Sequence, residues 1–294
     1  MAHQATLPIL LRELRLPTMA RHWEAFLSKA EQEHWNPARY LSALCEQEIN
    51  ERHSRRIARF TKESRLPSGK TLSSFDFIQT PGIRAERVEA FATNTDWVKR
   101  AENLLLFGPS GVGKTHLAAA ISAGLIQQGV RVRYYAATAI VQELQKARDE
   151  LRMEDLLERL NKYRVLIIDD LGYVRKSESE THALFELIAH RYETGSMIVT
   201  SNQPFSQWDH IFVDPVMTVA AIDRMVHHAT IIEIQAESFR RRQAVAVNGR
   251  STAEAATLTG TSTSITSSAN TTIRAIQDPE KGKKGINDTP PPLG

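Results

Sequence analysis

The stretch "LLLFGPSGVGKTHLAAAI", Leu104 to Ile121, constrains the fold more than any other part of the chain. An apolar run enters a glycine-bearing loop, and a helical pattern leaves it. The loop fits G-x-x-x-x-G-K-T, with Gly108, Gly113, Lys114 and Thr115 at the fixed positions. Glycine lets the backbone curl so that several N–H groups point inward at phosphate oxygens. A helix that starts at the loop adds the favourable end of its dipole. Lys114 is placed to reach the β- and γ-phosphates, and the Thr115 hydroxyl to ligate Mg2+. A strand before and a helix after are the context such a loop requires. Nucleotide binding is therefore expected at Gly108, Pro109, Ser110, Gly111, Val112, Gly113, Lys114, Thr115 and His116.

The same alternation extends along residues 67–245. "NLLLFG", "VRVRYYA", "RVLIIDD", "SMIVTSN" and "TIIEIQ" read as strands that are apolar on both faces, as in a covered parallel sheet. Amphipathic stretches at 114–128, 138–161 and 178–193 lie between them. The fold class is α/β, a three-layer P-loop core with a parallel central sheet.

Residues 1–66 read as a small all-helical domain. Leu7, Leu10, Leu11 and Leu14 recur at helical spacing, followed by Trp23, Phe26 and Leu27. Pro17 is expected to divide two helices, and Asn36 to cap a third that starts at Pro37. "LPSGKTLSSFDF" is the linker into the core. Residues 246–294 are rich in Ser, Thr, Gly and Pro and poor in large apolar residues, which predicts a disordered tail.

Composition narrows the setting. The 294 residues are 41% hydrophobic and 24% charged, ordinary for a globular protein. Net charge is +3 and the pI about 9.0, which permits a nucleic-acid partner without arguing for one. Cys45 is the sole cysteine, so neither an internal disulfide nor a cysteine-based zinc cluster can form. There is no signal-peptide pattern and no apolar run of membrane-spanning length. A cytoplasmic protein is expected.

"VLIIDDLGY" raises a conflict between an apolar run that expects burial and two adjacent carboxylates. In a P-loop domain the conflict resolves. Asp169 emerges at the open end of a buried strand, where it can hold Mg2+. Asp170 is then free to polarise a water against the γ-phosphate; the competing assignment is a cap or solvated loop residue. The next strand ends in Ser201 and Asn202, which could orient that water. Arg224 lies in a short helical segment, and Arg240, Arg241 and Arg242 follow the last strand. Arginines beyond the sheet suit late phosphate contacts, or contacts from a neighbouring subunit. His227 and His228 have no other ligand-spaced partner in sequence and read as surface or core residues rather than metal ligands.

In order, the phosphate loop, "LIIDD", "IVTSN", "IDR" and "SFR" resemble the AAA+ ATPases of the initiator and helicase-loader group. The chain more closely resembles the IstB-type ATPases, helper proteins of insertion-sequence transposases. The likeness includes "LRLPTMARHWEAF", "LPSGKTLSSFDF" and "AAIDRMVHHATIIEI". It implies that Asp169 and Asp170 form the Walker B pair, that Asn202 is the first sensor and that Arg240 is the second. It further implies that Arg224 is a finger reaching the ATP of an adjacent subunit, and that Phe75, Asp76 and Phe77 pack near the adenine. ATP-dependent self-association on duplex DNA, target selection and stimulation of a partner transposase are implied with them. Asp170 departs from the Asp-Glu pair typical of AAA+ proteins; a shorter base suits slow turnover. The region after the last strand is short and low-complexity, so the helical lid usual in AAA+ proteins is expected to be missing, which counts against a second-sensor role for Arg240.

Arg52, Arg55, Arg56, Arg59 and Lys62 would form one basic stripe on a helix, suited to DNA phosphates. Pairing with Glu48, Glu51 and Glu63 on a solvated helix face is the competing account. Arg175 and Lys176 form a second candidate DNA patch. A replicative helicase loader shares the core and is the alternative function. A small-molecule kinase would need an acceptor lid with converging arginines, which the sequence does not offer, and a non-hydrolysing ATP switch is a further alternative.

Overall fold

The computed structural model describes residues 2–172, 177–210, 214–236 and 238–239. The tail expected from residue 246 lies outside them. Five strands appear where the apolar runs predict them: β1 Asn103–Phe107, β2 Val132–Ala136, β3 Val165–Asp169, β4 Ser196–Ser201 and β5 Ala229–Glu233. Every pairing is parallel, and the order across the sheet is β2-β3-β4-β1-β5. Parallel neighbours need crossovers, and helices supply them.

Ten α-helices are described, with one 3-10 helix at Phe205–His210: α1 Ala2–Glu13, α2 Pro17–Gln32, α3 Pro37–Ser64, α4 Ala85–Thr93, α5 Asp96–Lys99, α6 Lys114–Gln127, α7 Ala137–Asp149, α8 Met153–Asn161, α9 Glu178–Arg191 and α10 Pro215–Val226. Strand alternation sorts the central side chains onto two faces. Leu104 and Leu106 of β1 join Ile167 and Ile198 beneath Leu117, Ile121 and Leu125 of α6. Leu105 and Phe107 join Leu166, Ile168 and Val199 against α7, α8, α9 and α10. This two-sided burial is why the middles of β1, β3 and β4, residues 104–107, 165–168 and 197–199, are apolar without interruption. Each fully buried Leu or Ile contributes roughly 2 kcal/mol.

The stretch 138–161, read from sequence as one amphipathic run, is two helices. Leu151 adopts φ +55° and is 94% exposed, and the Arg152 N–H bonds the Ala147 carbonyl at 2.7 Å. The turn lets α8 fold back on α7 and bury Leu156 and Leu160.

The N-terminal helices follow their caps. Pro17 opens α2, and Asn36 Oδ1 accepts the Arg39 N–H at 2.8 Å ahead of Pro37. Leu11, Met19, Trp23 and Leu44 form a separate small core, bordered by Leu7, Phe26 and Leu27. Leu10 and Leu14 are exposed instead, because α1 packs along one side only. The first turn of α2 has no side-chain cap of its own. Glu48 of α3 fills that role: its Oε2 accepts the N–H of Thr18 at 2.8 Å and of Met19 at 3.1 Å.

Helix α3 continues past this cluster onto the core. Ile57 and Phe60 pack against the α6 face. Arg131 Nε donates to Glu63 Oε2 at 2.8 Å, and the Arg133 guanidinium donates to the Glu63 carbonyl at 2.7 Å. One 28-residue helix thus ties the N-terminal cluster to edge strand β2.

Candidate functional site

The G-x-x-x-x-G-K-T loop wraps between β1 and α6. Gly108 has φ +145°, and a Cβ there would lie 2.4 Å from the Ile234 carbonyl oxygen. Gly113 has φ +100°, and a Cβ would lie 2.6 Å from the Phe75 ring. Both positions exclude larger residues on backbone and steric grounds. Lys114 is buried, its Nζ donating to the carbonyls of Gly108 at 2.8 Å and Pro109 at 2.9 Å.

A cleft of about 480 Å³ opens over the loop, lined by residues 110–116, by Lys70, Ser74, Phe75 and Asp76 of the linker, and by Asp170. The linker is fastened down. His116 Nε2 donates to the Thr71 carbonyl at 2.8 Å, and its ring meets Phe75 edge-on at 5.3 Å. From the other side, the Phe239 N–H donates to the Gly111 carbonyl at 3.0 Å.

Asp169 is 4% exposed at the end of β3, and three hydroxyls hold its carboxylate. Thr115 Oγ1 lies 3.0 Å from both oxygens, Thr200 Oγ1 donates to Oδ1 at 2.6 Å and Tyr134 OH donates to Oδ2 at 2.8 Å. Burial, followed by the bond to Asp169, pushes the Tyr134 phenol well above its ordinary pKa, so it stays a donor. Hydroxyl and carboxylate oxygens are hard donors suited to Mg2+, and Thr115 and Asp169 would hold it here. Asp170 is exposed at the cleft with φ +58°, and its N–H donates to Thr200 Oγ1 at 2.9 Å. Aspartate tolerates that left-handed conformation better than glutamate does.

Residues 9–246 match the IstB-like ATP binding protein family. This chain belongs to that family. A "putative insertion sequence ATP-binding protein" of Sinorhizobium fredii is 50% identical over 242 residues, which are 82% of this chain and 81% of that one. The corresponding protein of insertion sequence IS21 in Pseudomonas aeruginosa is 38% identical over 237 residues, 81% of this chain and 89% of that one. A solved DNA replication initiation factor is similar at TM-score 0.50 and 19% identity, over 64% of this chain and 56% of that one. At that identity it speaks for the fold alone, a three-layer α/β core with a parallel central sheet.

Other residues singled out in this IstB-like sequence lie farther off. Asn202 follows the last residue of β4 and is exposed. Arg224 is half-buried on α10, where a guanidinium nitrogen donates to the Ala220 carbonyl at 3.0 Å and the group lies 5.1 Å from the Phe185 ring centre. Neither lines the cleft of its own chain, among the described residues. Arg240, Arg175 and Lys176 lie outside the described residues. His227 and His228 are exposed, and folding brings the Glu193 carboxylate to them: the three ligand atoms lie within 4.8 Å of one another. Sequence spacing gave no sign of that spatial partner.

The basic stripe of the IstB-like chain is exposed but divided in its bonding. Arg52 Nε bonds Glu48 Oε1 at 2.8 Å, and Arg55 reaches Thr18 Oγ1 at 3.2 Å and Glu48 at 3.5 Å. Arg56 lies 3.1 Å from His53 Nδ1, and Arg59 lies 4.0 Å from Glu63. Arg52 and Arg55 therefore gather at a buried carboxylate, while Arg56, Arg59 and Lys62 continue the stripe toward the core. Tyr134 and Thr200 escaped sequence reasoning, and Glu48 reads from sequence only as a solvated partner of the arginines, not as the buried cap of α2. Only the strand order and the helix crossing bring them to their partners.

Proposed function

We propose that this protein is an ATP-dependent regulator of transposition. It binds ATP and Mg2+ in the P-loop cleft, assembles with further copies on duplex DNA, selects the target there and stimulates a partner transposase. Slow hydrolysis accompanies this cycle. The observation that carries the nucleotide part is the meeting of Lys114, the Thr115 hydroxyl and the Asp169 carboxylate beside one cleft. The transposition role rests on the family and on relatives named for insertion sequences.

In this reading Lys114 exchanges two carbonyls for phosphate oxygens, a gain in charge-assisted bonding. Thr115 and Asp169 would hold Mg2+, which would supply neutralisation of phosphate charge. Asp170 accepts a proton from the attacking water, with Asn202 helping to orient it. Phe75 and Asp76 meet the nucleotide base. Arg224, and Arg240 after the last strand, complete the phosphate contacts, Arg224 from a neighbouring subunit. Arg56, Arg59 and Lys62, with Arg52 and Arg55 behind them and Arg175 and Lys176 as a second patch, neutralise DNA phosphates without base readout.

Light scattering with ATP and duplex DNA tests the assembly. Growth beyond a monomer only when both are present is expected. Arg224→Ala should retain ATP binding and lose turnover by about 1,000-fold. A chain that stays monomeric with both ligands overturns the proposal.

A further inference from the structure

Asp169 sits at the end of a strand whose two sheet neighbours each send it a hydroxyl. β3 lies between β2 and β4. From β2, Tyr134 donates to Oδ2 at 2.8 Å; from β4, Thr200 donates to Oδ1 at 2.6 Å. The bonds come from opposite sides and engage different oxygens, so rotation of the carboxylate breaks at least one. Thr200 also accepts the Asp170 N–H, and its carbonyl accepts the Leu171 N–H at 2.9 Å, which fixes the backbone on which the carboxylate turns. Tyr134 is held in its own right, since its strand neighbour Arg133 grips the Glu63 carbonyl of α3.

We propose that Tyr134 is a positioning residue for metal binding, which with Thr200 holds the Asp169 carboxylate in the one orientation that serves Mg2+. The inference rests on the nucleotide site proposed above. Thr115 and Asp169 would hold the ion, and the Thr115 hydroxyl can keep donating to Asp169 while offering an oxygen lone pair. Tyr134 and Thr200 keep their bonds throughout, so the carboxylate meets the ion already oriented. Hydrogen-bond partners behind a metal ligand commonly govern affinity about tenfold or more when removed.

Tyr134→Phe removes only the hydroxyl and keeps the ring that packs beside Val132 and Ile167. The measurement is binding of a fluorescent, non-hydrolysable ATP analogue to the full chain across a Mg2+ titration. Electron paramagnetic resonance of Mn2+ bound to the same complex provides a second readout. Tyr134→Phe should raise the half-saturating Mg2+ concentration about tenfold, leave binding without metal within twofold, and broaden the Mn2+ signal. Thr200→Val should do the same, and Thr200→Ser, which restores a hydroxyl, should not. A Tyr134→Phe protein that loses thermal stability but keeps the wild-type Mg2+ requirement overturns the inference alone. A wild-type protein that binds no nucleotide overturns the site and the inference together.

Discussion

The Thr115 hydroxyl lies 3.0 Å from both carboxylate oxygens of Asp169, across 54 positions of sequence. The first turn of α6 and the end of β3 are thereby joined. The two groups expected to hold Mg2+ are already neighbours, so ATP and metal need not gather them. The ordering cost of building the site is met by folding rather than by binding.

Lys114→Ala should leave the fold intact and weaken ATP by about 10- to 150-fold, the loss expected for one charged hydrogen-bonding group. Fluorescence anisotropy of a labelled ATP analogue measures it. Wild-type affinity in this variant would contradict the assigned cleft.

Asp170→Asn should keep ATP affinity within about threefold and cut turnover by about 100-fold or more, as loss of a general base does. Asparagine accepts the φ of +58° as readily as aspartate. Asp170→Glu should not raise turnover despite its longer reach, and should cost about 1 kcal/mol through backbone strain. Phosphate release and urea denaturation are the assays. An Asp170→Glu enzyme faster than wild type would show that length, not backbone, limits this position.

Glu48 links α3 to the first turn of α2, and Glu48→Gln should cost about 2 kcal/mol at pH 7. Burial would raise its pKa, but the Arg52 bond and the N–H groups of Met19 and Thr18 together hold it below the ordinary 4.5. Its contribution is therefore complete above about pH 4.5 and is lost as pH falls through the lower folded value. Urea midpoints of the two proteins should differ most near neutrality and converge in acid. A difference independent of pH would exclude the charge as its source.

Gly195→Ala should destabilise by about 2 kcal/mol through overpacking. The added Cβ would lie 2.4 Å from the Arg191 guanidinium carbon. That side chain cannot step aside, because it donates to the carbonyls of Tyr163, Arg164 and Ser196 at 2.8–3.1 Å. Burial, with Arg164 nearby, brings its pKa down to about 10, still charged at neutral pH. An unchanged melting temperature would mean that Arg191 yields more easily than its three bonds imply.

The five strands were legible because burial on both faces leaves an uninterrupted apolar run, and the phosphate loop because few other arrangements can cradle phosphate. The break at Leu151 was not. A leucine in a left-handed turn gives no local signal, and packing of α8 on α7 overrides its preference. Glu48 was hidden by its setting, since a glutamate among arginines reads as a solvated pair. Its burial follows from the way α2 crosses α3. Tyr134 and Thr200 stand on strands that sequence predicts well, yet their meeting with Asp169 depends on β2 and β4 both flanking β3. That order is a property of the whole sheet and is written in no local pattern.

The grip of Arg131 and Arg133 on the last turn of α3 bears on solubility as well. An edge strand such as β2 offers unpaired backbone groups on which another chain can template. Here that edge carries two cations and has a helix end drawn against it. Along this edge the sheet is thus shielded from pairing with a strand of another chain.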